Sequence, residues 1–218
     1  MKLLATLKKE WYILLLLLLP YVLIPFIGGQ VPDQVPTHWN IQGQADGFSD
    51  KSFVLWWFPL FAIVTYLLIL VVPLIDPKKR ISIDQKPLPA LRLLLPLFFL
   101  GMYTVMIMPT FKPGWDQSFM VFLLVTLLFL IFGNYLRTLK PNYFIGLRTP
   151  WTLEDPDNWR KTHELGSKLW IGTSLLLLVV AFFVPAAVYS KLFFAGVMVM
   201  AIVPLAYSFW LFKSQPEN

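Results

Sequence analysis

The sequence predicts an all-α integral membrane protein with six transmembrane helices and both termini in the cytoplasm. Three observations predict it. The chain of 218 residues is 57% hydrophobic and only 14% charged, where a soluble domain runs near 45–50% apolar and about 25% charged. Six stretches are long and apolar enough to cross a hydrocarbon core, which takes roughly 20 residues. The Lys and Arg residues fall almost wholly on alternate connections, the mark of cytoplasmic loops.

The spans run over residues 11–28, 53–74, 91–109, 118–136, 169–189 and 192–212. Their interiors read as uncharged, with Arg92 at the edge of the third. Uncharged interiors are what lipid-facing helices require, because each charge at the bilayer centre costs several kcal/mol. Pro20, Pro59, Pro96, Pro185 and Pro204 fall inside spans. Membrane helices tolerate such prolines because neighbouring helices satisfy the freed backbone groups. The basic start at Lys2, Lys8 and Lys9 precedes an apolar core too long for a cleaved secretory signal, so the first stretch reads as a retained span.

Of 18 Lys and Arg residues, Lys51, Lys112 and Lys191 alone fall on one set of alternate segments. The rest lie on the N-terminus, the C-terminus, the second connection with Lys78, Lys79, Arg80 and Lys86, and the fourth with Arg137 to Lys168. That asymmetry places both termini and these two connections in the cytoplasm. The net charge of +6 is therefore an orientation signal, and no direct nucleic-acid binding is expected. With no Cys, disulfides, thiol nucleophiles and Cys-ligated metals are excluded.

Two connections carry patterned residues. The external loop, 29–52, has an extended entry fixed by Pro32 and Pro36, a Val35/Thr37/Trp39/Ile41 alternation that suits a strand, and turn signals at Gly43 and Asp46-Gly47. A small hairpin is expected, with Ser49 or Asp50 capping the second span. His38 is its conspicuous side chain. One His among scattered carboxylates is a weak metal pattern, so the reading is a His that hydrogen-bonds within the loop or stacks at the interface beside Trp39, and no metal or cofactor is expected. The cytoplasmic loop, 137–168, places Asp155 as N-cap and Pro156 as first residue of a helix running into the fifth span, with Trp159 and His163 one turn apart on one face. Arg148, in a Gly-Leu-Arg-Thr-Pro turn, either binds a phosphate or carboxylate or pairs with Glu154, Asp155 or Glu164. Trp151 and Trp159 read as interface anchors. No catalytic order or phosphate loop stands out, and the chain is not expected to be an enzyme.

The run from Asn142 to Leu153 (Asn-Tyr-Phe-Ile-Gly-Leu-Arg-Thr-Pro-Trp-Thr-Leu), with Asn158-Trp159 and Thr162-His163, resembles the SdpI family of bacterial membrane proteins. The external run Val35-Pro-Thr-His-Trp-Asn-Ile-Gln-Gly43, with Asp46, is similar to a domain of unknown function that precedes this signature in many members. The resemblance implies a multi-pass protein of the bacterial cell membrane that confers immunity to a secreted toxic peptide and signals to a cytoplasmic transcriptional repressor. It implies that His38, Asn40, Gly43 and Asp46 face the toxin. It implies that Asn142, Gly146, Arg148, Thr149, Trp151, Thr152, Trp159 and His163 form a cytoplasmic site for partner binding or gating. Membrane lipids are the remaining partners. The alternative is a transporter or channel for an apolar peptide or lipid, which needs no charge in its path.

Overall fold

The computed structural model describes residues 2–76 and 82–214. Lys78, Lys79 and Arg80 of the predicted second loop lie outside the described residues. The chain packs as two compact units, one of residues 1–71 and 88–124, the other of 72–87 and 125–218.

The first unit opens with α1 (Lys2–Lys9) and α2 (Trp11–Ile27). Their axes differ by 67° across a break at Glu10, whose backbone leaves helical geometry at φ −100°, ψ 24°. A hairpin follows, β1 (Gln34–Trp39) antiparallel to β2 (Ala45–Asp50). Its tip is fixed by one side chain: Asn40 Oδ1 accepts the N–H groups of Gln42 and Gln44, both at 3.0 Å. Gly43 holds the turn at φ +77°, the left-handed region where a Cβ is costly. The alternation read from the sequence holds in part: Val35 and Trp39 are buried, but Thr37 is half-buried like Pro36, and Ile41 lies past the strand and is exposed. Asp46-Gly47 is not a turn as expected but sits inside β2 opposite His38. The Asn40 tip has already closed the hairpin, so these residues continue the ladder.

The Asp50 carboxylate accepts the Ser52 N–H at 2.8 Å, which caps the next helix as read. A π-helical turn at Phe53–Trp57 leads into α3 (Phe58–Ile75). Then come α4 (Leu88–Phe111) and α5 (Gln117–Leu136). Arg92 lies within the first turns of α4, at the edge of the third span as expected, but it is 1% exposed. Its guanidinium donates to both oxygens of Glu10, at 2.8–3.0 Å, and Tyr66 of α3 donates to Glu10 Oε2 at 3.1 Å. The charge at this end of the span is therefore buried and compensated within the fold.

The second unit carries a short helix α6 (Pro150–Glu154), then α7 (Pro156–Val180) and α8 (Ala186–Lys213). The expected helix start at Pro156 with Asp155 as N-cap is observed, the Asp155 carboxylate accepting the Asp157 N–H at 2.8 Å. The expected division into spans at 189 and 192 is not. α7 ends at Val180, a turn occupies 181–185, and Pro185 is the N-cap residue of α8 rather than a kink inside a span. Proline lacks the N–H that a helix interior needs, so the helix restarts there. Lys191 consequently lies within α8.

Among the described residues, four helices are long and apolar enough to cross a membrane: 53–75, 88–111, 117–136 and 186–213. The bent pair α1–α2 makes a fifth if it counts as one span. The predicted span 169–189 is not among them, because its apolar stretch in α7 stops at Val180. The chain is thus a mostly helical membrane protein with an added hairpin.

Candidate functional site

The twelve residues expected to matter fall into two groups, each drawn together locally. In the loop before α7, Asn142 bridges its own backbone: Oδ1 accepts from Phe144 and Ile145, and Nδ2 donates to the Lys140 and Ile145 carbonyls, all within 2.8–3.0 Å. An Asx turn of this kind fixes the following residues without a helix or strand. Gly146 then turns at φ +119°, and the chain passes over the ring of His163.

His163 and Trp159 stack, with ring centroids 4.1 Å apart and 20° between planes. Both are 1% exposed. His163 Nδ1 donates to the Trp159 carbonyl at 2.8 Å, so Nε2 is the acceptor for the Leu147 N–H at 2.9 Å. These two partners require the neutral ring, and burial lowers the imidazole pKa to about 4. His163 is thereby a fixed acceptor that latches the loop onto α7. Trp159 Nε1 donates to the Leu139 carbonyl at 2.8 Å, so Trp159 is a buried strut and not an interface anchor.

Past the latch, Thr149 and Thr152 form a reciprocal cap. The Thr152 N–H bonds Thr149 Oγ1 at 3.2 Å and the Thr149 N–H bonds Thr152 Oγ1 at 2.8 Å, with Pro150 as first helical residue. The Thr152 hydroxyl also donates to the Leu147 carbonyl at 3.0 Å. Trp151 leaves α6 toward α8, donates to Ser208 Oγ at 2.6 Å and stacks on Phe212. It too is part of the packing rather than an anchor. Asn158 Nδ2 reaches the Ser208 carbonyl at 2.9 Å and its Oδ1 accepts from Thr162 at 3.0 Å.

Arg148 differs from its neighbours in being exposed. It donates to the Tyr143 carbonyl at 2.6 Å and makes no pair with Glu154, Asp155 or Glu164 among the described residues. Asp155 instead caps α7 and Glu164 pairs with Lys168, while Asp157 pairs with Lys161 and Arg160. The Lys161 and Arg160 hydrogen bonds lower the Asp157 pKa. The cradle therefore presents Arg148 and the half-exposed Tyr143 outward and keeps its other motif residues for internal bonds.

In the hairpin, His38 Nδ1 and Asp46 Oδ1 lie 2.5 Å apart on the exposed face, as the within-loop reading expected. Asn40 and Gly43 form the tip. Lys51 and Asp33 pair at its base. Among the described residues no group of three or more His, Asp or Glu side chains is arranged to hold a metal ion.

Sequence reasoning missed α6 and the part played by Ser208. The signal for α6 was present: Thr149-Pro150-Trp151-Thr152 pairs a capping hydroxyl with a proline at the first helical position and a second hydroxyl three residues on. Ser208 carries no local signal, since it lies 57 residues from Trp151.

Residues 138–208 match the model of the SdpI/YfhL protein family, and residues 14–63 match a domain of unknown function, DUF1648. The first segment contains the cradle and the second the hairpin. The chain is 23% identical over 176 residues to the Immunity protein SdpI of Bacillus subtilis (strain 168), covering 81% of this chain and 83% of that protein. No solved structure matches. The resemblance read from the two motifs therefore holds over both segments.

Proposed function

We propose that this chain, in which a DUF1648 segment precedes an SdpI/YfhL segment, is a multi-pass bacterial membrane protein that protects its cell from a secreted toxic peptide. The observation that carries this reading is the match, over most of both chains, to a protein named for immunity. The role is binding and protection rather than catalysis. In this reading α2 and α7 cross the bilayer beside the four long apolar helices, so that the termini and the cradle face the cytoplasm and the hairpin faces outward, which the Lys and Arg distribution supports. His38, Asn40, Gly43 and Asp46 present the toxin-facing surface. Arg148 and Tyr143 form the outward face of the cytoplasmic cradle, where a guanidinium suits a carboxylate on a transcriptional repressor. Signalling from one face to the other requires two arrangements of the helices, each favoured by a different ligand.

The test is survival of a sensitive host expressing the chain, challenged with secreted killing peptides from related bacteria. Wild type, His38→Ala and Arg148→Ala are compared at matched membrane levels. Protection that is lost in His38→Ala supports the external site. Protection that persists in Arg148→Ala while repressor recruitment disappears separates signalling from shielding. No protection by the wild type at normal abundance would overturn the immunity reading.

A further inference from the structure

We propose that α1 lies in the membrane–water interface as a headgroup-binding helix, and that its partner is an anionic phospholipid surface. The observations are independent of the toxin reading. α1 has two unlike faces: Leu3, Thr6, Leu7 and Glu10 turn toward the protein, while Leu4, Lys8 and Lys9 are exposed, Leu4 at 66%. Just past the break, Trp11 and Tyr12 are exposed as well, with rings 6.5 Å apart. Leucine beside lysines, with an adjoining Trp–Tyr pair, is the composition of a helix lying at headgroup depth.

The bend supplies the geometry. An apolar helix, α2, begins at Trp11, and α1 leaves it at 67°, an angle that lets α2 run across the bilayer while α1 lies along its surface. The angle is held from inside the protein. Glu10, the sole carboxylate among residues 1–12, is buried against Arg92 and Tyr66. This buried pair both fixes the break and removes the segment's one negative charge from the outer face, leaving Lys8 and Lys9 to meet lipid. Each lysine near an anionic leaflet contributes about 1 kcal/mol, so the two together favour the bound helix by roughly 30-fold.

The absence of cysteine makes the test direct. The full chain carrying Leu4→Cys is spin-labelled and reconstituted in vesicles of phosphatidylcholine alone, or with about one-third phosphatidylglycerol. Collisions with oxygen and with a water-soluble nickel chelate report the label's depth. The expected result is a label at headgroup depth that is more embedded in the anionic vesicles. Lys8→Gln/Lys9→Gln should reduce the embedded-to-exposed ratio roughly 30-fold there and leave it little changed in phosphatidylcholine. A label equally open to the nickel chelate in both vesicles would overturn the proposal and assign this face to a soluble acidic protein. An anionic preference that survives the double glutamine variant would overturn the role of the lysines.

Discussion

Replacing Gly146 with alanine tests the latch directly. A Cβ at this position would stand 2.5 Å from His163 Nε2 and 3.1–3.2 Å from the Trp159 ring. Neither ring can retreat, because they stack on each other and Trp159 is tied to Leu139. The methyl therefore takes the place of the Leu147 N–H on the imidazole. Strained backbone at φ +119° costs about 1–3 kcal/mol, and a buried amide left unpaired costs about 1–3 kcal/mol more. A combined penalty of about 3 kcal/mol raises the open fraction of the loop roughly 100-fold. Trypsin cleavage after Arg148, measured on detergent-purified protein, follows that fraction when reclosure outpaces cutting. The expected rate is thus roughly 100 times that of the wild type. Gly172→Ala is the control: nothing lies within 4 Å of its Cβ position, it sits within α7, and the change should stabilise by about 0.5–1 kcal/mol without altering cleavage. A Gly146→Ala protein cut at the wild-type rate would refute the latch.

Acid should open the same loop. The folded imidazole has a pKa of about 4 against an ordinary value of 6.5, so the unfolded state binds the proton more tightly. Stability is full above about pH 6.5 and falls as pH drops toward 4, by about 3 kcal/mol in all; thermal unfolding of wild type and His163→Gln across that range reads it, and parallel curves would sink the assignment. Arg92→Gln leaves Glu10 buried without its guanidinium and should cost about 3–5 kcal/mol, whereas Glu10→Met/Arg92→Met should be near neutral; equal losses in both variants, seen by thermal unfolding, would contradict this. On the immunity reading, proteoliposomes holding the full chain should show background leakage only. Sustained flux would favour the transporter alternative.

How far the fold was legible depended on whether a signal was local. The spans at 53–74, 91–109 and 118–136 were read to within three residues because apolar length is a property of one segment. The Asp155 cap and the Trp159–His163 pair are also local. The boundary at 181–185 was not legible, since Phe182, Phe183 and Val184 are as apolar as a span; only Pro185 marked it, and proline was being read there as a tolerated kink. The burial of Arg92 was not legible because its partner, Glu10, lies 82 residues away. The site was half legible in the same sense. The motif residues were identified, but Arg148 was offered carboxylates and took a carbonyl. The two tryptophans were read as anchors because single-sequence reasoning assigns Trp to the interface by type, while their N–H groups find distant partners in Leu139 and Ser208.

Ser208 gives the cradle a schedule. Trp151 and Asn158 are made 57 and 50 residues before the serine that receives them, and at about 5–20 residues per second the interval is several seconds. During synthesis the loop has its Asn142 turn and its own helix caps but lacks its last two ties. The links from Trp151 and Asn158 to Ser208 form only once α8 has been delivered. A chain interrupted before α8 would leave the loop without those two ties.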